Sequence, residues 1–355
     1  MSKRKLLKLV KNGHVRDWDD PRMYTLVALR RRGVPPEAII AFVGGLGVST
    51  AGSNTEIHRF EQAVRQYLEN AVPRLLMVLK PLKVTLENVA EDSVVMIEKS
   101  LHPKVADLGK STIPFTRTLY IDADDFRMED SKDYFRLAPG KTVGLFQGPH
   151  PITCTSVKTD ESGNVVELIC KLEDGSVGSV PKPKAFIQWV ADHPASGSPV
   201  RIAETRIFYP LFKSDNPAAL DDYLADINPN SLEVVKGAMI EVGFWSLAKD
   251  ALSKAKLEAE RRTAGAATAK AEEGTTSATA DGHGSDTPVA TVDQLIGNEV
   301  VRFQGLRVGY FALDKDAIVN GAKEGSGTGA SAKEGDIVIL NRIVSLKEDS
   351  GKSSV

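Results

Sequence analysis

The clearest chemical pattern in this sequence is a local excess of cations at the N-terminal end. Residues 1–40 carry ten Lys or Arg against four Asp or Glu, although the formal net charge of all 355 residues is only -2. A local excess of cations attracts polyanions such as nucleic acid, whereas the net charge alone indicates no such partner. The sequence therefore predicts electrostatic chemistry at its N-terminal end.

Three consecutive arginines, Arg30, Arg31 and Arg32, form the densest part of this basic region. In the last turn of a helix they would complement the helix macrodipole. On an exposed face they would contact nucleic acid phosphates, with an affinity that depends on salt but not on base sequence. The two interpretations are compatible, and the sequence leaves both open.

Nucleophilic and metal-binding groups are sparse. The two cysteines, Cys154 and Cys170, have neither the spacing of a disulfide framework nor that of a metal site, and the six histidines are scattered. Both cysteines lie in strand-like runs that flank the turn-like segment DESGN, so we interpret them as core residues of a hairpin in a reducing compartment. From these spacings we expect no bound metal and no prosthetic group. We also expect no membrane partner, since no apolar stretch is long enough to span a bilayer.

The elements that must position the chemistry change character near residue 73. Residues 1–72 have helix caps and apolar residues three and four positions apart, a pattern that predicts helices. In WDDPRMYTLVALRRRG, we expect Asp20 to cap a helix, Pro21 to take its first position and Gly33 to end it. From Pro73 onward, short alternating runs between Gly, Pro and Asp turns predict β-barrels or sandwiches, not a parallel α/β sheet.

Two segments are too polar to pack. Residues 258–288 contain no Val, Ile, Leu, Met, Phe, Trp, Tyr or Cys. Burial therefore cannot offset the entropy lost on ordering them, and we expect a disordered insertion. Residues 320–336 are rich in Gly, Ser and Lys, which predicts a solvated hairpin loop.

The start of the chain, MSKRKLLKLV followed by GHVRDWDDPRMYTLVALRRRG, closely resembles the signature loop and following helices of the class I tRNA synthetases for glutamine and glutamate. The resemblance continues through NAVPRLLMVL, LHPKVADLG, IPFTRTLYIDADDF, PKAFIQWV, VGYFALD and LNRIVSLKED. Details such as VRDWDDPR, the VPR segment and the ending LNRIVSLKED favour the eukaryotic cytosolic glutaminyl-tRNA synthetases, from their signature loop onward. The alternatives are the archaeal and eukaryotic type of glutamyl-tRNA synthetase and a non-catalytic tRNA-binding module.

The resemblance implies a mainly β fold with an N-terminal α-helical segment and two anticodon-binding β-barrels, one proximal and one distal. The chain would leave the proximal barrel, form the distal one and then return. The predicted units are the signature loop and helical subdomain of the catalytic region at 1–72, the first part of the proximal barrel at 73–118, the distal barrel at 119–198, the return to the proximal barrel at 199–252, the disordered insertion at 253–298 and the last proximal strands at 299–355.

The resemblance places Met1, Ser2 and Lys3 in the signature loop of an ATP site. When a carboxylate attacks the α-phosphate of ATP, negative charge moves onto pyrophosphate, and a mobile ammonium such as that of Lys3 can neutralise it. ATP with Mg2+ and glutamine would be co-substrates of the complete enzyme, a glutamine–tRNA ligase. Because the nucleotide-binding half precedes this loop in the family, we expect the chain alone to make no glutaminyl adenylate.

The resemblance also implies contacts with the anticodon of a glutamine tRNA. Arg74 and Gln304 match the residues that read the middle uracil, and Arg136 matches the one that reads the last guanine. Forked Arg and Gln side chains suit this task, because unpaired bases expose their hydrogen-bonding edges. Arg307 and Lys104 fall near these contacts, although Lys104 replaces an asparagine of the bacterial pattern.

Four further cations would contact the tRNA backbone, and they are Lys11, Arg30, Arg31 and Arg32. The expected partner is therefore a glutamine tRNA in the cytoplasm, and membership of a synthetase assembly is left open.

One departure from the bacterial pattern concerns the first anticodon base. Where bacterial relatives have Val-Arg-Leu-Arg, this chain has Val143, Gly144, Leu145 and Phe146, so two guanidinium forks are absent. Phe146 would either stack on a base or lie in the barrel core. We expect weak discrimination between cytosine and uracil at this base.

Overall fold

The computed structural model describes residues 1–47, 55–175, 179–180, 182–273, 296–324 and 331–346. Within these ranges the α-helices are α1 (Lys3–Lys11), α2 (Leu26–Arg32), α3 (Pro36–Leu46), α4 (Ile57–Ala71), α5 (Phe244–Glu273) and α6 (Asn320–Glu324). The strands in the same ranges are β1 (Arg74–Leu75), β2 (Met77–Val78), β3 (Pro81–Leu86), β4 (Val94–Ser100), β5 (Lys110–Thr116), β6 (Thr118–Asp122), β7 (Thr142–Leu145), β8 (Ile152–Thr159), β9 (Val165–Leu172), β10 (Phe186–Ile187), β11 (Trp189–Ala191), β12 (Val200–Arg201), β13 (Glu204–Phe208), β14 (Leu232–Val235), β15 (Met239–Ile240), β16 (Arg302–Gly305), β17 (Gly309–Leu313) and β18 (Ile339–Val344).

The mainly β fold with helices at its N-terminal end confirms the predicted fold class, but one helix start was predicted wrongly. Helix α2 is capped by Thr25, whose hydroxyl accepts from the N–H of Ala28 at 3.1 Å, and not by Asp20. The buried carboxylate of Asp20 instead accepts from the backbone N–H groups of Arg16 and Arg22, at 3.0 and 3.1 Å, and so folds the preceding turn. Gly33 ends α2 as predicted, with a left-handed φ of 98° that suits glycine.

A six-stranded sheet in the order β1-β16-β17-β18-β13-β14 forms the proximal unit. It joins one strand from just after the helical segment with strands from two later parts of the chain. Phe303 and Phe311 stack in its core with ring centroids 5.9 Å apart, and Phe244 at the start of α5 packs edge-on against Phe303. The chain therefore leaves this unit and returns to it, as predicted.

A seven-stranded, nearly closed sheet in the order β10-β7-β8-β9-β3-β6-β11 forms the distal unit. Its core includes Trp189, which is fully buried and lies edge-on to Phe115 at 5.4 Å. Strand β3 belongs to this sheet, pairing with β6 and β9, although its residues fall in the segment that we assigned to the proximal barrel. Strand pairing is not visible in a sequence, so this assignment needed correction, and the other unit boundaries remain predictions.

Helix α5 corrects the predicted insertion. It runs without interruption from the buried Phe244 and Trp245 to Glu273, so the first part of the segment at 253–298 is helical. The physical reason is composition: Ala, Glu, Lys and Arg are good helix formers, and extending an anchored helix costs far less than nucleating one. Residues 274–295 lie outside the described ranges.

The second polar segment is partly described. Residues 320–324 form α6, and the carboxylate of Asp336 accepts from the backbone N–H of Asn320 at 2.6 Å, which closes the base of the loop. Residues 325–330 lie outside the described ranges. No helix within those ranges is long and apolar enough to cross a membrane.

Candidate functional site

Arg74 and Gln304 lie side by side on neighbouring parallel strands. They are register partners in the β1–β16 pair, and the N–H of Gln304 donates to the carbonyl of Pro73 at 2.8 Å. Within the described ranges, the buried Nε of Arg74 and the buried Oε1 of Gln304 have no hydrogen-bond partner. Buried polar atoms are nearly always paired in proteins, so two such atoms on register partners mark this position as one whose side chains would gain hydrogen bonds by turning toward a ligand. We call these two residues the Arg74 pair.

A buried ion pair, Lys99 and Glu241, fixes the backbone that carries Arg74. The ammonium of Lys99 donates to the carbonyl of Arg74 at 2.9 Å and to the carboxylate of Glu241 at 3.1 Å. Glu241 also accepts from the backbone N–H of Leu76 at 2.7 Å. Both charged side chains are almost completely buried, so neither is available to a ligand and their role is to position β1. Sequence reasoning missed them, and the one signal was a lone Glu within the apolar run AMIEVGFW.

Lys104 lies on a loop beside the Arg74 pair. The loop follows Leu101, whose carbonyl accepts from the backbone N–H of Arg74 at 2.7 Å. The Nδ1 atom of His102 accepts from the N–H of Lys104 at 3.1 Å, and its Nε2 atom is 2.8 Å from the carbonyl of Glu69. The two ring nitrogens of His102 thus connect the loop to the end of α4, and the side chain of Lys104 is exposed to solvent.

Arg136 lies in the distal unit on a buried carboxylate. Its guanidinium is 2.9 Å from the carboxylate of Asp125 and donates to the carbonyl of Asp124 at 3.1 Å. Burial raises the pKa of Asp125, while the charges of Arg136 and Arg307 act in the opposite direction. About 40% of the Arg136 side chain remains exposed, so part of its fork is accessible. We call Arg136, Asp125 and Arg307 the Arg136 cluster.

The turn between β16 and β17 connects the Arg74 pair with the Arg136 cluster. It begins after Gly305, one residue beyond Gln304, and carries Arg307, which has a left-handed φ of 61° and donates to the carbonyl of Phe186 at 2.6 Å. Between them, Leu306 is buried in the core of the distal unit. The proximal sheet thus inserts one turn into the distal unit, and this insertion brings the predicted anticodon residues from three distant segments together.

The packing of Phe146 distinguishes between its two predicted roles, stacking on a base and filling the barrel core. Its half-buried ring packs against the distal core, and its carbonyl accepts from the indole N–H of Trp189 at 3.0 Å. This arrangement favours the core interpretation. The exposed aromatic ring at this place belongs to Phe186, which lies opposite Gly144 in the β7–β10 pair. Sequence reasoning missed Phe186, because one apolar residue in a strand carries no sign that it faces solvent.

Two of the three consecutive arginines do not form the predicted phosphate-binding face. Arg31 is buried against Asp314 and Asp316, at 3.1 and 2.7 Å, and Arg32 is buried with its Nε donating to the carbonyl of Ile343 at 2.8 Å. Arg30 pairs with Glu299 and is half exposed. The structure therefore replaces the phosphate-binding interpretation of Arg31 and Arg32 by a structural one. Their partners are far away in the sequence, where no pattern indicates them.

The N-terminal residues lie on a separate part of the surface. The hydroxyl of Ser2 caps α1 by accepting from the N–H of Lys5 at 3.4 Å, while Met1, Lys3 and Lys11 are exposed. Helix α1 packs through Leu9 against the cluster that contains Tyr223, and within the described ranges no contact joins it to the Arg74 pair or to the Arg136 cluster. The role predicted for the signature loop stays a prediction.

Comparisons with known proteins match three family models to successive parts of the chain. Residues 1–70 match the catalytic domain of the class I tRNA synthetases for glutamate and glutamine, and residues 72–173 and 186–252 match two models of their anticodon-binding domain.

Curated relatives agree with these matches. The chain is 44% identical to a probable glutamine–tRNA ligase of Schizosaccharomyces pombe, 37% identical to the glutamine–tRNA ligase of Saccharomyces cerevisiae and 41% identical to a cytoplasmic glutamine–tRNA ligase of Arabidopsis thaliana. Each alignment covers 99% of this chain but only 38%, 39% and 36% of the respective relative. The chain therefore spans about two fifths of the length of these relatives.

Proposed function

Because the chain belongs to the class I tRNA synthetases for glutamate and glutamine, we propose that it reads the anticodon loop of a glutamine tRNA for glutamine–tRNA ligation. The observation that carries this proposal is the Arg74 pair, an Arg and a Gln at register positions of neighbouring strands, each with a buried polar atom that has no partner among the described residues. Glutamine is favoured over glutamate because each of the three relatives named above is a glutamine–tRNA ligase.

The chemistry of the Arg74 pair suits uracil. The Watson–Crick edge of an unpaired uracil presents an N–H donor between two carbonyl acceptors. When the two side chains turn toward the base, the carboxamide oxygen of Gln304 can accept from that N–H while the guanidinium of Arg74 donates to the O4 carbonyl. Cytosine has a ring nitrogen acceptor in place of the N–H and an amino donor in place of O4, so both of these contacts would be mismatched. The middle anticodon base is therefore assigned to this pair.

The Arg136 cluster suits guanine. A guanidinium donates well to the O6 and N7 acceptors of guanine, and the fork of Arg136 is oriented by Asp125 and partly exposed. Arg307 adds a second exposed cation at the same carboxylate. The last anticodon base is therefore assigned to Arg136. Lys104 beside the Arg74 pair, and Lys11 and Arg30 farther away, would contribute contacts to phosphates that do not depend on base sequence.

The complete reaction would also require ATP with Mg2+ and glutamine. Within the described residues, the exposed ammonium of Lys3 is the group assigned to follow the charge on pyrophosphate, next to Met1 and Ser2. We extend the proposal to a cytoplasmic location on the strength of the cytoplasmic relative from Arabidopsis thaliana.

The test uses the single base by which glutamine anticodons differ from glutamate anticodons. Changing the last anticodon base from guanine to cytosine converts a glutamine anticodon into a glutamate anticodon. Fluorescence anisotropy should find the altered tRNA bound more weakly by about 1–3 kcal/mol, as for the loss of one bidentate base contact. In the Arg136→Ala variant this preference should disappear.

Lys11→Ala is the matched control, because it removes an exposed cation outside both groups of residues. It should weaken both tRNAs alike and reduce the dependence of log Kd on log salt by about one unit. Equal affinity of the unmodified chain for the two tRNAs would refute the proposed function.

A further inference from the structure

Phe186 is a large aromatic side chain with 52% of its surface exposed, on a short strand at the edge of the distal sheet. Its strand, β10, runs parallel to β7, and Phe186 lies opposite Gly144 in this pair. The N–H of Gly144 donates to the carbonyl of Ala185 at 2.9 Å, and that of Phe146 to the carbonyl of Ile187 at 2.9 Å. Hydrogen bonds on both sides therefore fix the backbone from which the ring projects.

The ring lies directly on the backbone of Gly144. A Cβ atom placed on Gly144 would overlap Cδ1 and Cε1 of the Phe186 ring, so no larger residue fits at position 144 while the ring keeps its place. Gly144 is itself buried, and its backbone covers one face of the ring; we call Gly144 the floor of the ring. The other side of the ring faces solvent.

The surroundings of the ring are cationic. Arg307 donates to the carbonyl of Phe186 itself, and it shares the carboxylate of Asp125 with Arg136. Lys184, two residues before Phe186, is also exposed, and its ammonium lies over a second exposed ring, that of Phe135, at 6.0 Å from the centroid. An exposed aromatic face flanked by cations is the arrangement that binds single-stranded nucleic acid, because bases stack on the ring while the cations hold the backbone.

We propose that Phe186 is the stacking platform for the first base of the anticodon, with Gly144 as its floor. This inference rests on the proposed function, which assigns the middle base to the Arg74 pair and the last base to Arg136. The first base remains, and residues 143–146 offer it no charged or forked side chain. Stacking uses the face of a base and not its hydrogen-bonding edge, so Phe186 binds cytosine and uracil about equally. One chain can then read both glutamine anticodons.

Binding measurements on ring and floor variants test the platform. Phe186→Ala should weaken binding of a glutamine tRNA by about tenfold to a hundredfold, and Phe186→Trp should restore it, because both rings offer a face. Gly144→Ala should also weaken binding, because the new methyl group displaces the ring. In the Phe186→Ala background the same Gly144→Ala change should have little further effect, because the overlap no longer exists. Met96→Ala, which truncates a side chain of equal exposure on β4, is the control and should change binding little.

Abasic tRNAs identify the base. A tRNA with no base at the first anticodon position should bind the unmodified chain as weakly as the intact tRNA binds Phe186→Ala, and combining the two changes should cost nothing more. If the loss of binding free energy in Phe186→Ala instead failed to add to that of a tRNA without its middle or last anticodon base, the assignment to the first base would be overturned. If Phe186→Ala binds like the unmodified chain while the preference for guanine at the last position persists, the platform is wrong and the proposed function stands. If the unmodified chain lacks that preference, the proposed function itself fails.

Discussion

Asp125 is the residue on which the geometry of the Arg136 cluster depends. Its buried carboxylate lies 2.9 Å from Arg136 and interacts electrostatically with Arg307, so it fixes two guanidinium groups that would otherwise repel each other. A negative charge close to a proposed RNA contact is unfavourable for phosphate attraction. The presence of Asp125 indicates that base recognition depends more on the orientation of the two guanidinium groups than on their total positive charge.

We therefore predict that Asp125→Asn lowers discrimination at the last anticodon base. Losing the carboxylate should cost roughly 1 kcal/mol of the preference for guanine, because the fork of Arg136 loses its charged acceptor. Anisotropy titrations with the guanine and cytosine versions of the tRNA measure this preference. An account based on net charge alone makes the opposite prediction, namely tighter binding of both tRNAs with the preference intact.

At the residue scale the candidate site could be proposed from the sequence, and the role of its residues stays a prediction. Arg74, Gln304, Arg136 and Arg307 could be chosen because the family resemblance fixes their alignment. Arg31 and Arg32 could not be excluded as RNA contacts, because a run of arginines looks the same whether or not distant carboxylates bury it. Phe186 was missed for the same reason, since exposure depends on strands that pair across more than forty residues of sequence.

At the scale of elements, the β16–β17 turn is the part that assembles the site. Its buried Leu306 belongs to the distal core, while Gln304 and Arg307 on either side belong to the two groups of proposed contacts. The backbone N–H of Leu306 donates to the carbonyl of Leu75 at 3.0 Å, which also ties the turn to β1. The two groups should therefore keep a fixed spacing, as reading adjacent bases requires.

Helix α5 illustrates how far element prediction could go. Composition predicted no hydrophobic core for residues 258–288, but it could not exclude the helix at 258–273, because alanine and charged residues form helices without burying large side chains. Contacts with other elements add to the helical propensity of this composition. Ala255, Ala259 and Arg262 of α5 line a groove with Leu26 of α2 and Ile296, and Ala259 is buried there.

Two deletions separate the helical part of this segment from the rest. Replacing residues 274–288 by a short Gly/Ser linker should change Tm by no more than about 2 °C, because these residues contain no large apolar side chain to bury. Replacing 258–288 in the same way should lower Tm by more than about 4 °C, because the groove contacts of α5 are lost. Thermal unfolding followed by circular dichroism measures both, and equal Tm values for the two variants would contradict the packing account.

At the scale of the whole molecule, one buried carboxylate joins the helical segment to the proximal sheet. Asp314 has no exposed surface and lies 3.1 Å from Arg31 of α2 and 3.2 Å from Arg206 of β13. Burial alone would raise the pKa of Asp314, but hydrogen bonds from Arg31, the backbone of Asp316 and Asn341 outweigh it and lower the pKa to about 2. The N-terminal helices are thereby fixed to strands near the other end of the chain.

This lowered pKa predicts how stability depends on pH. A carboxylate whose pKa falls on folding contributes its full stability above the ordinary pKa of 3.8, and it loses this contribution as the pH falls toward about 2. Asp314→Asn should lower the free energy of unfolding at pH 7 by roughly 3–5 kcal/mol, because the buried Arg31 and Arg206 lose a charged partner. It should also flatten the pH dependence between these two values. Urea unfolding across this range checks both effects, with the exposed Asp92→Asn as the control.

The central claim, that the Arg74 pair reads the middle uracil, is tested most directly by one affinity ratio. The ratio compares a glutamine tRNA with the same tRNA carrying cytosine at the middle anticodon position, at one salt concentration. For the unmodified chain we predict a difference of about 1–3 kcal/mol in favour of uracil. Gln304→Met, which removes the acceptor at similar volume, and Arg74→Ala should each abolish it, while Arg201→Ala, an exposed arginine on β12, should leave it unchanged. A ratio near one for the unmodified chain, or equal losses for both tRNAs in the two variants, would contradict the claim.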